Sequence, residues 1–161
     1  MPMDQKEYQK EILEQMAKNE EKLSELYAAY MHKFPTRSEF WRDIAQEEVS
    51  HGRWIRTLEM RVEEGGVMFS EKRFNIDALN DFYVFVQQQI ARVKENDLPL
   101  IAALVVSKEI EESMLEKDFF RVFSGDSPEL EILLLALEYS TKKHRDIVLK
   151  AWEEERKILT V

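Results

Sequence analysis

Glu48 and His51 stand one helical turn apart in the run Glu47-Glu48-Val49-Ser50-His51. Side chains three residues apart on a helix share a face. A carboxylate beside an imidazole suits a hard or borderline cation: the carboxylate brings charge and can bridge two ions, and neutral imidazole adds a terminal nitrogen. The pair alone is weak evidence, because glutamate is abundant in this chain. Glu20, Glu112 and His144 extend it, since each falls in the middle of a run of apolar residues spaced three and four apart.

Four such runs can be read. The first is Leu13, Met16, Glu20, Leu23, Tyr27, Tyr30, Phe34, and the second is Trp41, Ile44, Glu48, His51, Ile55, Leu58, Val62. The third is Ile101, Val105, Lys108, Glu112, Leu115, Phe119, Val122, and the fourth is Leu130, Leu134, Leu137, Thr141, His144, Val148, Ala151. Each is apolar at both ends and polar at its centre, on one helix face. A buried carboxylate costs several kcal/mol unless cations or hydrogen bonds compensate it. Packed together, the centres would gather Glu20, Glu48, His51, Glu112 and His144 at one level, the ligand types of carboxylate-bridged two-metal bundles. Register alone separates Glu20 from Glu21 and Glu112 from Glu111, and the stripes select Glu20 and Glu112.

The elements that carry these residues are marked by breaks. Pro35, Gly65-Gly66, Pro99, and Gly125 with Pro128 divide the chain into long stretches that lack glycine and proline except for Gly52. Helices exclude these residues from their interiors and use them at their ends. Five helices are predicted, at about 3–34, 37–64, 76–96, 98–123 and 128–158. Thr36 or Ser38 is expected to cap the second, and Asp126-Ser127-Pro128-Glu129 to open the fifth. The segment 76–96 has an apolar face (Ile76, Leu79, Phe82, Phe85, Val86, Ile90, Val93) without a polar centre, and reads as a connection between two helical hairpins. Phe82–Val86 is strand-like in composition but is flanked by helix formers.

Composition narrows the classes. The 161 residues are 44% hydrophobic and 34% charged, which fits one domain over 1–161 with a real core. The formal charge of −9 argues against a nucleic-acid partner, which needs clustered lysine and arginine. Cysteine is absent, which excludes disulfides, thiolate metal sites and cysteine nucleophiles from this chain. The uncharged stretch Leu98–Ser107 contains Pro99 and is too short to span a bilayer. The N-terminal residues show no apolar signal core. A cytoplasmic chain with no membrane partner is the expectation.

The chain resembles a rubrerythrin-like member of the ferritin-like superfamily. The carriers are Glu20 with Tyr27 seven residues on, Phe34-Pro35, and Glu39-Phe40-Trp41-x-x-Ile44-Ala45-x-Glu47-Glu48-x-x-His51. A looser second half has Glu112 with Phe119, then Leu137-x-x-x-Thr141-x-x-His144. The resemblance implies an all-α, ferritin-like four-helix bundle with a long helical crossover between bundle helices 2 and 3. It implies a di-iron or other divalent-metal site held by Glu20, Glu48, His51, Glu112 and His144. Peroxide or oxygen would be the small oxidant. Without cysteine, electrons would come from a separate donor. A homodimer is expected, formed through an exposed aromatic face if the bundle is a metal-free structural protein.

The chain departs from that pattern at Thr141, where a carboxylate is expected. Lys108, one turn before Glu112, could neutralise carboxylates without metal. Two metals, one metal, and a metal-free bundle with a decayed site therefore all fit the sequence, as does metal handling without turnover. Tyr27 and Tyr30 are candidate donors to ligand carboxylates. His32, beside Lys33 at a helix end, reads as a surface residue.

Overall fold

Helices α1 (Gln5–Lys33), α2 (Ser38–Glu63), α3 (Ile76–Val93), α4 (Leu100–Glu116) and α5 (Pro128–Leu159) make up nearly all of the described chain. The structure is a computed structural model that describes residues 5–65, 68–69, 76–95, 97–116, 123–124 and 128–160. The predicted helical residues 3–4, 96 and 117–122, the Asp126-Ser127 cap, and the stripe side chains of Leu115, Phe119, Val122 and Leu130 lie outside that description. No helix among the described residues is long and apolar enough to cross a membrane.

Each helix end has a local cause. Proline at 35 cannot continue α1, and Pro35–Arg37 instead forms a 3-10 turn that runs directly into α2. The Ser38 amide donates to the Pro35 carbonyl, and no side chain caps α2, so neither Thr36 nor Ser38 plays the capping role expected of it. At the other end Gly65 takes a φ of +83° and its amide closes on the Val62 carbonyl at 3.0 Å. Only glycine adopts that left-handed conformation without steric cost.

Side-chain pairings fix the helix directions. Lys10 meets Glu63 at 3.3 Å, Arg56 grips Glu21 at 2.8 and 3.1 Å, and the Ser24 hydroxyl donates to the Ala45 carbonyl at 2.9 Å. Partner numbers fall along α2 as they rise along α1, so the two are antiparallel. The same ordering holds between α2 and α5, where His51 meets Ser140 and Glu48 meets His144. Helix α4 packs on α5, and α3 lies against α1, where Asn19 Nδ2 donates to the Leu79 carbonyl at 3.1 Å.

The buried apolar side chains divide into two clusters. One contains Ile12, Leu13, Met16, Ile55, Leu58 and Leu137. The other contains Leu23, Tyr27, Trp41, Ile44, Leu104 and Val148. The buried polar residues Glu20, Glu48, His51, Thr141 and His144 fall between them in sequence on α1, α2 and α5, as the stripes of those helices require.

Two further expectations need correction. Met68–Phe69 (β1) and Phe123–Ser124 (β2) form a short antiparallel pair, in the register Met68↔Ser124 and Phe69↔Phe123, so Phe123 is not helical. The stripe read on the fourth helix is also rotated. Val105 is 36% exposed, and the buried positions are Ala103, Leu104, Ser107, Ile110, Glu111 and Met114.

Gly65→Ala should destabilise the protein by about 1–2 kcal/mol, because alanine must hold the left-handed backbone. Urea unfolding checks this, and an unchanged midpoint would show that the α2 terminus relaxes freely.

Candidate metal centre

Glu48 is only 1% exposed, and both its oxygens meet imidazoles. Its Oε2 lies 2.9 Å from His51 Nδ1, one turn along α2, and its Oε1 lies 2.8 Å from His144 Nδ1 on α5. The two rings stack with centroids 5.3 Å apart. Their outer nitrogens are also occupied. His51 Nε2 is 2.7 Å from Ser140 Oγ, and His144 Nε2 is 2.5 Å from Glu47 Oε2. Ser140 Oγ donates in turn to Glu47 Oε2 at 3.4 Å.

Glu20 from α1 and Glu111 from α4 complete the cluster. Glu20 Oε2 is 3.9 Å from His51 Nδ1, and Glu111 Oε1 is 3.8 Å from His144 Nδ1. The Tyr27 hydroxyl donates to Glu111 Oε1 at 2.7 Å. Glu20 Oε2 and Glu111 Oε2 are buried with no hydrogen-bond partner among the described residues. Separations of 3.8–3.9 Å are too long for hydrogen bonds. They do match two ligands bound at about 2.1 Å to one cation, which lie about 3.0–4.2 Å apart depending on their angle. Ligand atoms of Glu48, His51 and His144 all lie within 4.8 Å of one another, and this buried group could hold a metal ion. Carboxylate oxygens with neutral imidazole nitrogens suit iron, zinc, manganese and related cations without singling one out.

The structure therefore brings Glu20, Glu48, His51 and His144 together and leaves Glu112 out. Glu112 is half-exposed and pairs with Lys108 at 3.4 Å, one turn back on the outside of α4. Its neighbour Glu111, 0% exposed, takes the inward place. Lys108 is likewise not a buried counterion for the cluster; it reaches Glu112 and lies over the Trp152 ring. Thr141 is buried at the level of the site, and its hydroxyl donates back to the Leu137 carbonyl at 2.9 Å, so no fourth carboxylate faces the others from α5. Tyr27 acts as the donor to a cluster carboxylate that its position suggested. Glu47 and Ser140 carried no role in the sequence reading. Their positions, i−1 to Glu48 and i−4 to His144, are the signal that could have found them, because they flank the inward face where α2 meets α5.

Burial and charge set the protonation of the cluster without metal. Burial pushes the Glu20 carboxyl well up, as do the charge of Glu48 and a hydrogen bond to it. Burial and the Glu48 charge likewise raise Glu111 from 4.5 to about 8. Burial would also raise Glu48, but the two histidines outweigh it and hold that carboxyl far below its usual range. Burial would lower His144, yet its hydrogen bond to Glu48 and the charges of Glu48 and Glu111 carry it from 6.5 up to about 9. Burial, then the Glu111 charge, pushes the Tyr27 hydroxyl well up. Glu48 is thus the anion at the centre of the metal-free cluster, and Glu20 and Glu111 are acids that hold their protons at neutral pH, Glu111 up to about 8.

Seen as a class, this is a helical bundle with a buried carboxylate–histidine cluster between two apolar layers. Comparison with protein-family models, with curated proteins and with solved structures finds no match in any of the three.

Glu111 and His144 hold protons in the folded chain above the pH at which the unfolded chain releases them. The stability they contribute is complete below their ordinary values and is lost as pH rises through about 8 and about 9. Metal-free protein should accordingly unfold at lower urea at pH 9 than at pH 6. Glu111→Gln should flatten that slope, whereas Glu112→Gln should leave it in place and shift stability by no more than about 0.5 kcal/mol. Equal slopes in the two variants would contradict the placement of Glu111.

Proposed function

We propose that this chain is a ferritin-like, rubrerythrin-like metalloprotein in which α1, α2, α4 and α5 form the bundle and α3 is the crossover. Glu20, Glu48, His51, Glu111 and His144 would hold two iron ions or related divalent cations. The observation that carries this reading is the near-symmetry about Glu48. One oxygen faces His51 Nδ1 with Glu20 Oε2 nearby, and the other faces His144 Nδ1 with Glu111 Oε1 nearby. Glu48, Glu20 and His51 would hold one cation, and Glu48, Glu111 and His144 the other.

Bound iron would supply electron transfer to peroxide or oxygen, with reducing equivalents from a separate donor protein. The chain's own residues hold and orient. Tyr27 fixes Glu111 through Oε1 and leaves Oε2 free. The apolar clusters on either side exclude bulk water and keep the carboxylates from alternative partners. Three carboxylates opposite two divalent cations leave one positive charge, because Thr141 brings none. A small oxygen anion from solvent would balance it, and a compact oxidant would suit the same place.

A second reading has a specific observation in its favour. The two imidazoles already compensate Glu48, at 2.9 and 2.8 Å, so the bundle can stand as a metal-free structural protein. One experiment decides between them. Untagged protein loaded anaerobically with Fe(II) should retain about two irons per chain by mass spectrometry. Glu48→Ala should lose essentially all of it, and Glu112→Ala should lose none. Folded wild-type protein that retains no metal would overturn the metal-binding reading and leave the structural one.

A further inference from the structure

The outer nitrogens of both imidazoles end on one carboxylate. His144 Nε2 meets Glu47 Oε2 directly, and His51 Nε2 reaches the same oxygen through the Ser140 hydroxyl. A carboxylate only accepts hydrogen bonds, so His144 must place a proton on Nε2. Ser140 Oγ donates to Glu47 Oε2 at 3.4 Å, which leaves the hydroxyl oxygen to accept from His51 Nε2 at 2.7 Å. In the metal-free chain each Nδ1 also donates to the Glu48 carboxylate, and its lone pair opens toward Glu48, Glu20 and Glu111 when a cation displaces that proton. Glu47 itself is not enclosed: its side chain is 37% exposed, and its other oxygen lies 3.6 Å from Lys143.

We infer that Glu47 is a shared positioning residue that sets the tautomer and orientation of both imidazoles, His144 directly and His51 through Ser140. The inference rests on the metal-binding reading of the cluster for its consequence but not for its geometry. It makes the two halves of the site unequal in their dependence on the surface. The His144 half hangs on Glu47 alone. The His51 half hangs on Ser140 and on Glu47 behind it. A single half-exposed carboxylate at the junction of α2 and α5 therefore governs nitrogen ligands from both helices. Hydrogen-bonded groups behind a ligating imidazole raise its basicity and fix its ring, and their loss typically lowers metal affinity about 10–100-fold.

The test uses the whole chain, Co(II) as the probe, and three variants. Cobalt titrations followed by visible absorption should show both equivalents weakened about 10–100-fold in Glu47→Ala. Ser140→Ala, which strips only His51, should weaken one equivalent and spare the other. Glu47→Gln retains an accepting amide oxygen and should recover most of the affinity, which a role through charge alone would not produce. Wild-type affinity for both equivalents in Glu47→Ala, or loss of only one, would overturn the inference. NMR of the ring Nε2–H protons in metal-free protein supplies an independent readout. Two slowly exchanging signals should be present in wild type, both lost in Glu47→Ala and one lost in Ser140→Ala. If wild type takes up no cobalt, the metal-binding reading fails and these signals alone decide: retention of both in Glu47→Ala overturns the role of Glu47, and loss of both supports it.

Discussion

The bundle is organised around one buried anion. Glu48 sits among apolar helices at 1% exposure, a position that would cost several kcal/mol if it stood alone. Two imidazoles compensate it, one from its own helix and one from α5. That requirement sets the register between α2 and α5, because a one-turn slip would leave a charge in the core without a partner. It also explains why the polar level is flanked by apolar clusters on both sides. The clusters supply the cohesion, and the level between them supplies a specific alignment.

Glu20 and Glu111 are where the arrangement is strained. Glu20 Oε2 is buried without a hydrogen-bond partner among the described residues and lies 3.9 Å from His51 Nδ1; Glu111 Oε2 is likewise unpartnered, while its other oxygen takes the Tyr27 hydroxyl and lies 3.8 Å from His144 Nδ1. Protons relieve this in the metal-free chain, which is why both carboxyls are pushed upward. Cations held by these carboxylates would relieve it in place of the protons. Thr141 makes the site asymmetric. Its hydroxyl is spent on its own helix, so α5 contributes an imidazole but no charge.

Much of this could be read from residue spacing. The stripes on α1, α2 and α5 placed Glu20, Glu48, His51, Thr141 and His144 inside, with Glu20 preferred to Glu21 on register. Helix α4 was misread by one residue for a physical reason. Its first half is apolar nearly all round, with Ile101, Val105 and Val106 as well as Ala103 and Leu104, so periodicity cannot choose a face there. The buried face uses the small residues Ala103 and Ser107, which a search for large side chains overlooks. The i,i+4 pair Lys108–Glu112 was the available clue, since such pairs belong to exposed helix faces. The place of Glu47 beside Glu48 was legible, but its partners were not, because they depend on how α2 and α5 are rotated against each other. The 3-10 entry to α2 and the β1–β2 pair are set by tertiary packing and backbone geometry rather than by periodic pattern.

The most direct test of the account is anomalous diffraction at the iron edge from crystals of the Fe(II)-loaded chain. The account predicts two peaks flanking the Glu48 carboxylate, one bonded to Nδ1 of His51 and an oxygen of Glu20, the other to Nδ1 of His144 and an oxygen of Glu111. No peak at this level of the bundle, or peaks ligated by Glu112 or by the Nε2 atoms, would contradict it.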